Sequence, residues 1–170
     1  KFNNDYEIEN FFIVPEPLIK KEFSRIMSLK DGLKKMSKSE VSDLSRINLT
    51  DNKDQIINKI KKAKTDTLPL PSTIDELEKR PEAKNLIGIY SSLMNNTLQK
   101  SIDEFSGKNF SDFKEKLSEL IVNEINPISL KVKELLNDKV FLEKILEDGY
   151  EKANEIASKK IKKIHEIVGF

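Results

Sequence analysis

The chain has 170 residues, 35% of them charged and 37% hydrophobic, with a formal net charge of +1; this is about one domain's worth, at roughly 100–200 residues per domain. No apolar run reaches the 18 or so residues of a membrane helix, and the absence of cysteine excludes disulfides and thiolate metal sites. A single histidine, His165, and glycines that form neither G-x-G-x-x-G nor a Walker loop leave Lys, Ser, Asp and backbone groups to carry any chemistry.

The opening stretch KFNNDYEIEN is polar and acidic, unlike a secretory leader, and reads as the continuation of a longer polypeptide. Residues 11–14, closed by Pro15 and Pro17, and residues 25–29 are short apolar runs that predict two strands. Two strands alone are marginal, so they are expected to belong to a larger sheet. Residues 30–43, KDGLKKMSKSEVSD, read as a polar loop with a turn at Asp31-Gly32. Asp51 is expected to open a helix that carries Ile56, Ile57, Ile60 and Ala63 on one face and ends before Pro69 and Pro71. Between Lys30 and Lys64, ten Lys/Arg stand against five Asp/Glu, a local excess of five positive charges on a nearly neutral chain. Such a field attracts phosphates, although solvated lysines on a helix face give the same count.

After Ser72 the pattern is helical. Leu86, Ile87, Ile89, Tyr90, Leu93 and Met94 form one stripe. Ser101 and Glu104 read as a capping box, with Gly107 ending that helix. A long stripe runs from Phe110 and Phe113 through Leu117, Ile121, Ile128 and Val132 to Leu136, with a kink expected at Pro127. Val140, Leu142, Ile145 and Leu146 start another stripe. Gly149 is expected to interrupt it, and Ile156, Ile161, Ile164 and Val168 carry it to the end. These stripes are expected to be core, including Tyr90, Phe110 and Phe113, and His165 is expected to be a partly buried structural residue. Lys159, Lys160, Lys162 and Lys163 read as a solvated face. Short links between such helices predict an antiparallel bundle.

Lys35-Met36-Ser37-Lys38-Ser39 is the stretch with chemistry in it. Two lysines three apart supply mobile point charges. The hydroxyls and backbone N–H groups between them can spread the charge of a polyphosphate over many donors. This pentapeptide is the second signature of class I aminoacyl-tRNA synthetases. Its flanks narrow the likeness: Arg25-Ile26-Met27-Ser28-Leu29 before it, Arg46-Ile47-Asn48-Leu49-Thr50-Asp51 after it, then KIKKAKTD over 59–66 and Asn85-Leu86-Ile87-Gly88-Ile89-Tyr90. With these the chain resembles the bacterial tryptophanyl-tRNA synthetases along its whole length, Asp148-Gly149-Tyr150 and the final IVGF included. Glu40 stands where that family usually has Asp. The family's H-x-G-H stretch has no counterpart, so the likeness is to the family's C-terminal portion.

The resemblance implies a mainly α chain. Residues 1–50 would be the C-terminal edge of a Rossmann-like catalytic domain, with one or two short strands and the signature loop. Residues 51–170 would be a helical domain that holds the anticodon stem-loop of tRNA(Trp). It implies ATP-dependent activation of tryptophan and transfer to tRNA in the cytoplasm, with Mg2+ accompanying ATP and a homodimer formed through the N-terminal half. Lys35 and Lys38 would be the catalytic pair, and Ile26, Lys35, Met36, Ser37, Lys38 and Ser39 would hold ATP. Lys59, Lys61, Lys62 and Lys64 are candidate RNA phosphate contacts. By itself the 170-residue chain is expected to be inactive. A non-catalytic helical RNA-binding or scaffold module is the alternative.

Overall fold

A computed structural model describes residues 1–19 and 24–170. Contacts divide the chain into a larger unit, Lys20–Glu134, and a smaller one made of Lys1–Ile19 with Leu135–Phe170. In chain order the elements are α1 (Phe2–Asp5), β1 (Met27–Ser28), β2 (Asp31–Lys35), a 3-10 turn (Asp43–Ser45), α2 (Lys53–Lys61), α3 (Ile74–Glu78), α4 (Pro81–Leu93), α5 (Leu98–Phe105), α6 (Phe110–Asn137) and α7 (Lys139–Val168). The chain is mainly α, as the sequence predicts, and β1 and β2 form the one sheet among the described residues. No described helix is long and apolar enough to cross a membrane.

The strand expected over 25–29 is present as β1, but its partner is local. It pairs antiparallel with residues 31–35, which the sequence reads as loop, and the register is irregular between Met27 and Ser28. The turn falls before Asp31-Gly32, where the Lys30 N–H donates to the Ser28 hydroxyl at 3.2 Å. The strand expected over 11–14 is absent. There the Asn3 amide takes both backbone groups of Phe12, at 2.8 and 3.0 Å, as a neighbouring strand would. The rings of Phe2, Phe11 and Phe12 cluster with centroids 4.9–5.5 Å apart. Pro15 and Pro17, lacking N–H groups, leave little ladder to build beyond them.

In the larger unit the helices begin where their caps lie. Asn52 and Gln55 form a reciprocal capping box for α2, so helix entry is one residue past Asp51, whose side chain turns inward. Thr73 caps α3, and Pro81 occupies the first position of α4. α5 is capped by Thr97, and Ser101 lies inside it, fully buried and 2.7 Å from the Ser91 hydroxyl, so Ser101–Glu104 is not a capping box. Gly107, at φ +69°, supplies the left-handed residue that follows this helix.

The core of this unit holds Leu29, Ile56, Ile60, Leu77, Leu86, Ile87, Phe105, Phe113 and Leu117. Tyr90, Phe110 and Phe113 are buried in it, as expected, and Tyr90 and Phe113 meet Phe105 there. Tyr90 and Phe113 each stand nearly edge-on or tilted to Phe105, at 4.9 and 4.8 Å between centroids. The Tyr90 hydroxyl donates to Glu104, and burial, reinforced by that carboxylate, pushes its pKa up to about 12.

The C-terminal stripes depart from expectation in two respects, the course of α7 and their burial. α6 is one helix with Pro127 inside it, as the single long stripe predicts, whereas α7 runs through Gly149 without the interruption expected there. α7 buries no residue: Val140 is 79% exposed, Leu146 71% and Ile156 73%. Ile128, Leu130 and Leu136 of α6 are also exposed, and so is His165. Amphipathic spacing fixes which face of a helix is apolar; it does not supply the surface that covers it. Lys160 is not fully solvated either, because its ammonium stands 3.6 Å from the Phe11 ring centroid.

Candidate nucleotide-binding loop

Residues 35–39 leave the end of β2 and form an exposed turn. Met36 is the fixed point at its start. The Met36 N–H donates to the Ile26 carbonyl at 3.0 Å, and its side chain packs on the core. Ser37 closes the turn on itself: its hydroxyl accepts from the Ser39 N–H at 3.2 Å, and its carbonyl from Glu40. Lys35 and Lys38 project from this turn exposed, and neither has an ion-pair partner among the described residues. Two unpaired ammonium groups, hydroxyls and a tight backbone turn suit a polyanion. The loop has no carboxylate, and no cluster of three metal-ligating side chains occurs among the described residues. The donor set therefore fits phosphate oxygens and does not fit a protein-held Mg2+.

The hairpin that presents this loop is held by Asn85, Leu29 and Gly32, whose part in holding it the sequence signals only faintly. Asn85, on the buried face of α4, accepts from the Met27 N–H through Oδ1 and donates to the Met27 carbonyl through Nδ2, both at 2.8 Å. An amide within an otherwise apolar stripe is the one sequence signal for this role, since a buried Asn needs partners. Leu29 is bonded on both sides, from Lys64 N–H to its carbonyl at 2.7 Å and from its N–H to the Ser45 carbonyl at 2.9 Å. Gly32 lies against the start of α4. A Cβ built there would stand 2.6 Å from backbone atoms of Pro81 and Glu82. Gly32→Ala is therefore expected to destabilise by about 1–3 kcal/mol, the usual cost of overpacking against atoms that cannot yield. Urea denaturation reads this directly, and a midpoint equal to that of the parent would contradict the close approach.

Beside the hairpin is a cleft of about 370 Å³ lined by Met27, Gly32, Leu33, Pro81 and Asn85 among others. Neither Lys35 nor Lys38 lines it, so it does not join the loop in one pocket.

The lysines named as RNA contacts separate on inspection. Lys59 is 2% exposed and bonded to Asp51 at 2.6 Å and Asp43 at 2.7 Å, so it is not an RNA contact. Lys61, Lys62 and Lys64 are all exposed, and Lys64 pairs with Glu82 at 2.9 Å. Asp66 receives a two-pronged contact from Arg80, whose guanidinium also donates to the Leu68 and Pro69 carbonyls and so fastens the proline-rich link.

These pairs set an acid limit. The hydrogen bond from Lys59 holds the Asp43 carboxyl below its ordinary 3.8, that from Arg80 does the same for Asp66, and that from Lys64 holds Glu82 below 4.5. A carboxylate with a lowered folded-state pKa stabilises the fold above its unfolded pKa, and that contribution is lost as pH falls through the folded value. The melting temperature should therefore hold between about pH 7 and 5 and fall below about pH 4. A thermal scan against pH that declined across the upper interval would contradict this assignment.

The family of tRNA synthetases class I (W and Y) matches residues 1–126. The tryptophan–tRNA ligase of Caulobacter vibrioides is 46% identical over 170 residues, all of this chain and 49% of its own length. That of Rickettsia felis is 52% identical over 157 residues, 92% of this chain and 47% of its own. The crystal structure of tryptophanyl-tRNA synthetase from Mycoplasma pneumoniae aligns with a TM-score of 0.78 at 25% identity, over 99% of this chain and 49% of that one. The Campylobacter jejuni enzyme complexed with ADP and tryptophan aligns with a TM-score of 0.67 at 26% identity, over 99% and 50%. The chain thus spans about half the length of the curated relatives it matches.

Proposed function

The chain belongs to the class I tRNA synthetases of the tryptophan and tyrosine family, and on that footing we propose that it is the part of a tryptophan–tRNA ligase that carries the phosphate-side loop and a helical RNA-binding region. The observation that supports this most is the placement of Lys35 and Lys38, exposed and without an ion-pair partner among the described residues, on a hairpin anchored by Asn85. The names of the Caulobacter and Rickettsia relatives favour tryptophan over tyrosine.

In this reading the tryptophan carboxylate attacks the α-phosphorus of ATP, the bond to the β-phosphate oxygen breaks, and pyrophosphate leaves. A ribose hydroxyl at the 3′ end of tRNA(Trp) then attacks the carbonyl carbon of the adenylate, the bond to the phosphate oxygen breaks, and AMP leaves. Lys35 and Lys38 stabilise the charge that builds on the β- and γ-phosphates, an electrostatic contribution that costs no reorganisation when the donors are already placed. Ser37 and Ser39 donate hydrogen bonds or hold the turn. Met36 and Ile26 lie toward the adenine. Mg2+, when present, neutralises charge on the ATP phosphates. Residues 51–170 hold the anticodon stem-loop, with the exposed Lys61 and Lys62 as phosphate contacts. The intact enzyme is a cytoplasmic homodimer in which residues 1–50 complete the catalytic domain.

Amino-acid-dependent exchange of labelled pyrophosphate into ATP, run on this chain combined with the half of a relative that it does not match, tests the assignment. Exchange supported by tryptophan and not by tyrosine is the expected result. Dependence on tyrosine, or on neither amino acid, would overturn it.

A further inference from the structure

The trailing end of the loop is fastened by a polar network that reaches back to a buried lysine. Lys59, on α2, is 2% exposed and lies between two carboxylates, Asp51 and Asp43. Asp51 is itself buried and is shared with Asn48, whose N–H donates to it at 2.9 Å and whose amide Nδ2 lies 3.3 Å from it. Asp43 belongs to the 3-10 turn that follows the loop, and it also accepts from Asn48 Nδ2 at 3.0 Å. Its next contact is Arg46, whose Nη2 is 3.2 Å away. Arg46 then spends its remaining donors in two directions: Nε to Asn48 Oδ1 at 3.2 Å and Nη1 to the carbonyl of Glu40 at 2.8 Å. Glu40 is the residue next after the pentapeptide.

At the leading end, Met36 is fixed by Ile26 and by the core. With Glu40 held at the other end, three residues, Ser37, Lys38 and Ser39, remain between the two fixed points. A surface loop does not need a desolvated lysine behind it. Burying an ammonium is costly unless it is well paired, and a pair of this kind is weak support for stability by itself. What the network does supply is a fixed position for one carbonyl.

We propose that Lys59, Asp43 and Arg46 are positioning residues that tether the Glu40 carbonyl, confining loop movement to residues 37–39 so that Lys38 is presented to a nucleoside triphosphate from a fixed base. The proposal deepens the adenylation reading given above and rests on it for the identity of the ligand. The tether itself is a property of the chain without ligand.

Arg46 is the informative position because its planar fork serves three partners at once, and a lysine ammonium on the same stem cannot. Asp43 is more than half exposed, so Asp43→Asn removes charge facing Lys59 with little risk to the fold. The test is backbone amide relaxation on the 170-residue chain and on Arg46→Lys, Asp43→Asn and the double variant. Order parameters at Glu40 and Val41 are expected to drop from the rigid range near about 0.85 to below about 0.6 in either single variant. Those of Ile56, Leu86 and Phe113 should stay unchanged, and the double variant should add little, because both changes cut one chain of contacts. Unchanged values at Glu40 and Val41 would overturn the tether. A parallel loss in the core would overturn it too, by making the network a fold support with no specific action on the loop. The measurement uses neither ATP nor tryptophan, so its failure is distinguishable from failure of the adenylation reading, which pyrophosphate exchange decides.

Discussion

In the ligase proposed above, Lys38→Ala is expected to lower the rate of tryptophan adenylation by about 10²-fold or more and to leave the fold intact. The expected size is that of removing one preorganised donor from the charge that develops in a transition state. The loss should fall on kcat and kcat/KM alike, as it does when an interaction is made mainly in the transition state. Stability should stay within about 0.5 kcal/mol, because an exposed side chain without an ion-pair or hydrogen-bond partner among the described residues contributes little to the folded state. Lys38 stands at the middle of the short span between Met36 and Glu40, so its removal withdraws charge without releasing either fixed point. Single-turnover adenylate formation and a thermal melt, run on the same preparation, separate the two effects. An unchanged rate would remove Lys38 from the site, and a large fall in melting temperature would make it structural.

Phe113→Ala is expected to cost about 3–5 kcal/mol, the range for emptying a fully buried aromatic position. Phe113 is the first residue of α6 with no exposure at all, and its ring packs against Phe105 and Tyr90 from the two preceding helices. Deletion of the ring would leave a void between α4, α5 and α6 that their backbones cannot close. In a chain of this size such a loss corresponds to a melting temperature lower by about 10 °C. Denaturant unfolding gives the same quantity at constant temperature. A change under about 1 kcal/mol would contradict the placement of this ring at the junction of the three helices.

The pentapeptide was legible because its chemistry is local: five adjacent residues and their flanks identify the loop without knowledge of the fold. The long helices were legible for a similar reason, since Ile56 and Ile60, or Leu117 and Ile121, repeat at the helical period and prove buried. Features that depend on what faces a segment were not. β2 reads as loop because Lys34 and Lys35 are polar, yet it needs only the two residues of β1 to pair with. Residues 11–14 read as a strand because they are apolar and β-branched, but the side chain of Asn3 serves their backbone and the rings pack together. Lys59 counted as one more positive charge on a basic stretch, and only its neighbours Asp43 and Asp51 reveal it as interior. The apolar stripe of α7 is real, but its residues are exposed. Of the support for the loop, Asn85 and Gly32 left faint marks in the sequence, and the Lys59–Asp43–Arg46 chain of contacts left none.

In the proposed function this chain supplies the phosphate-side loop of an adenylating site, and the remaining parts are expected in the half of its relatives' length that it does not span. Differential binding of a transition state requires all its partners in one place, and residues 35–39 offer cations and hydroxyls without a pocket for tryptophan. Single-turnover formation of tryptophanyl-adenylate, measured first with the 170-residue chain and then with a relative's unmatched half added, tests this most directly. No adenylate from the chain alone, and adenylate that appears on addition and disappears again with Lys38→Ala, is the predicted result. Adenylate made by the isolated chain, or a combined activity indifferent to Lys38, would contradict it.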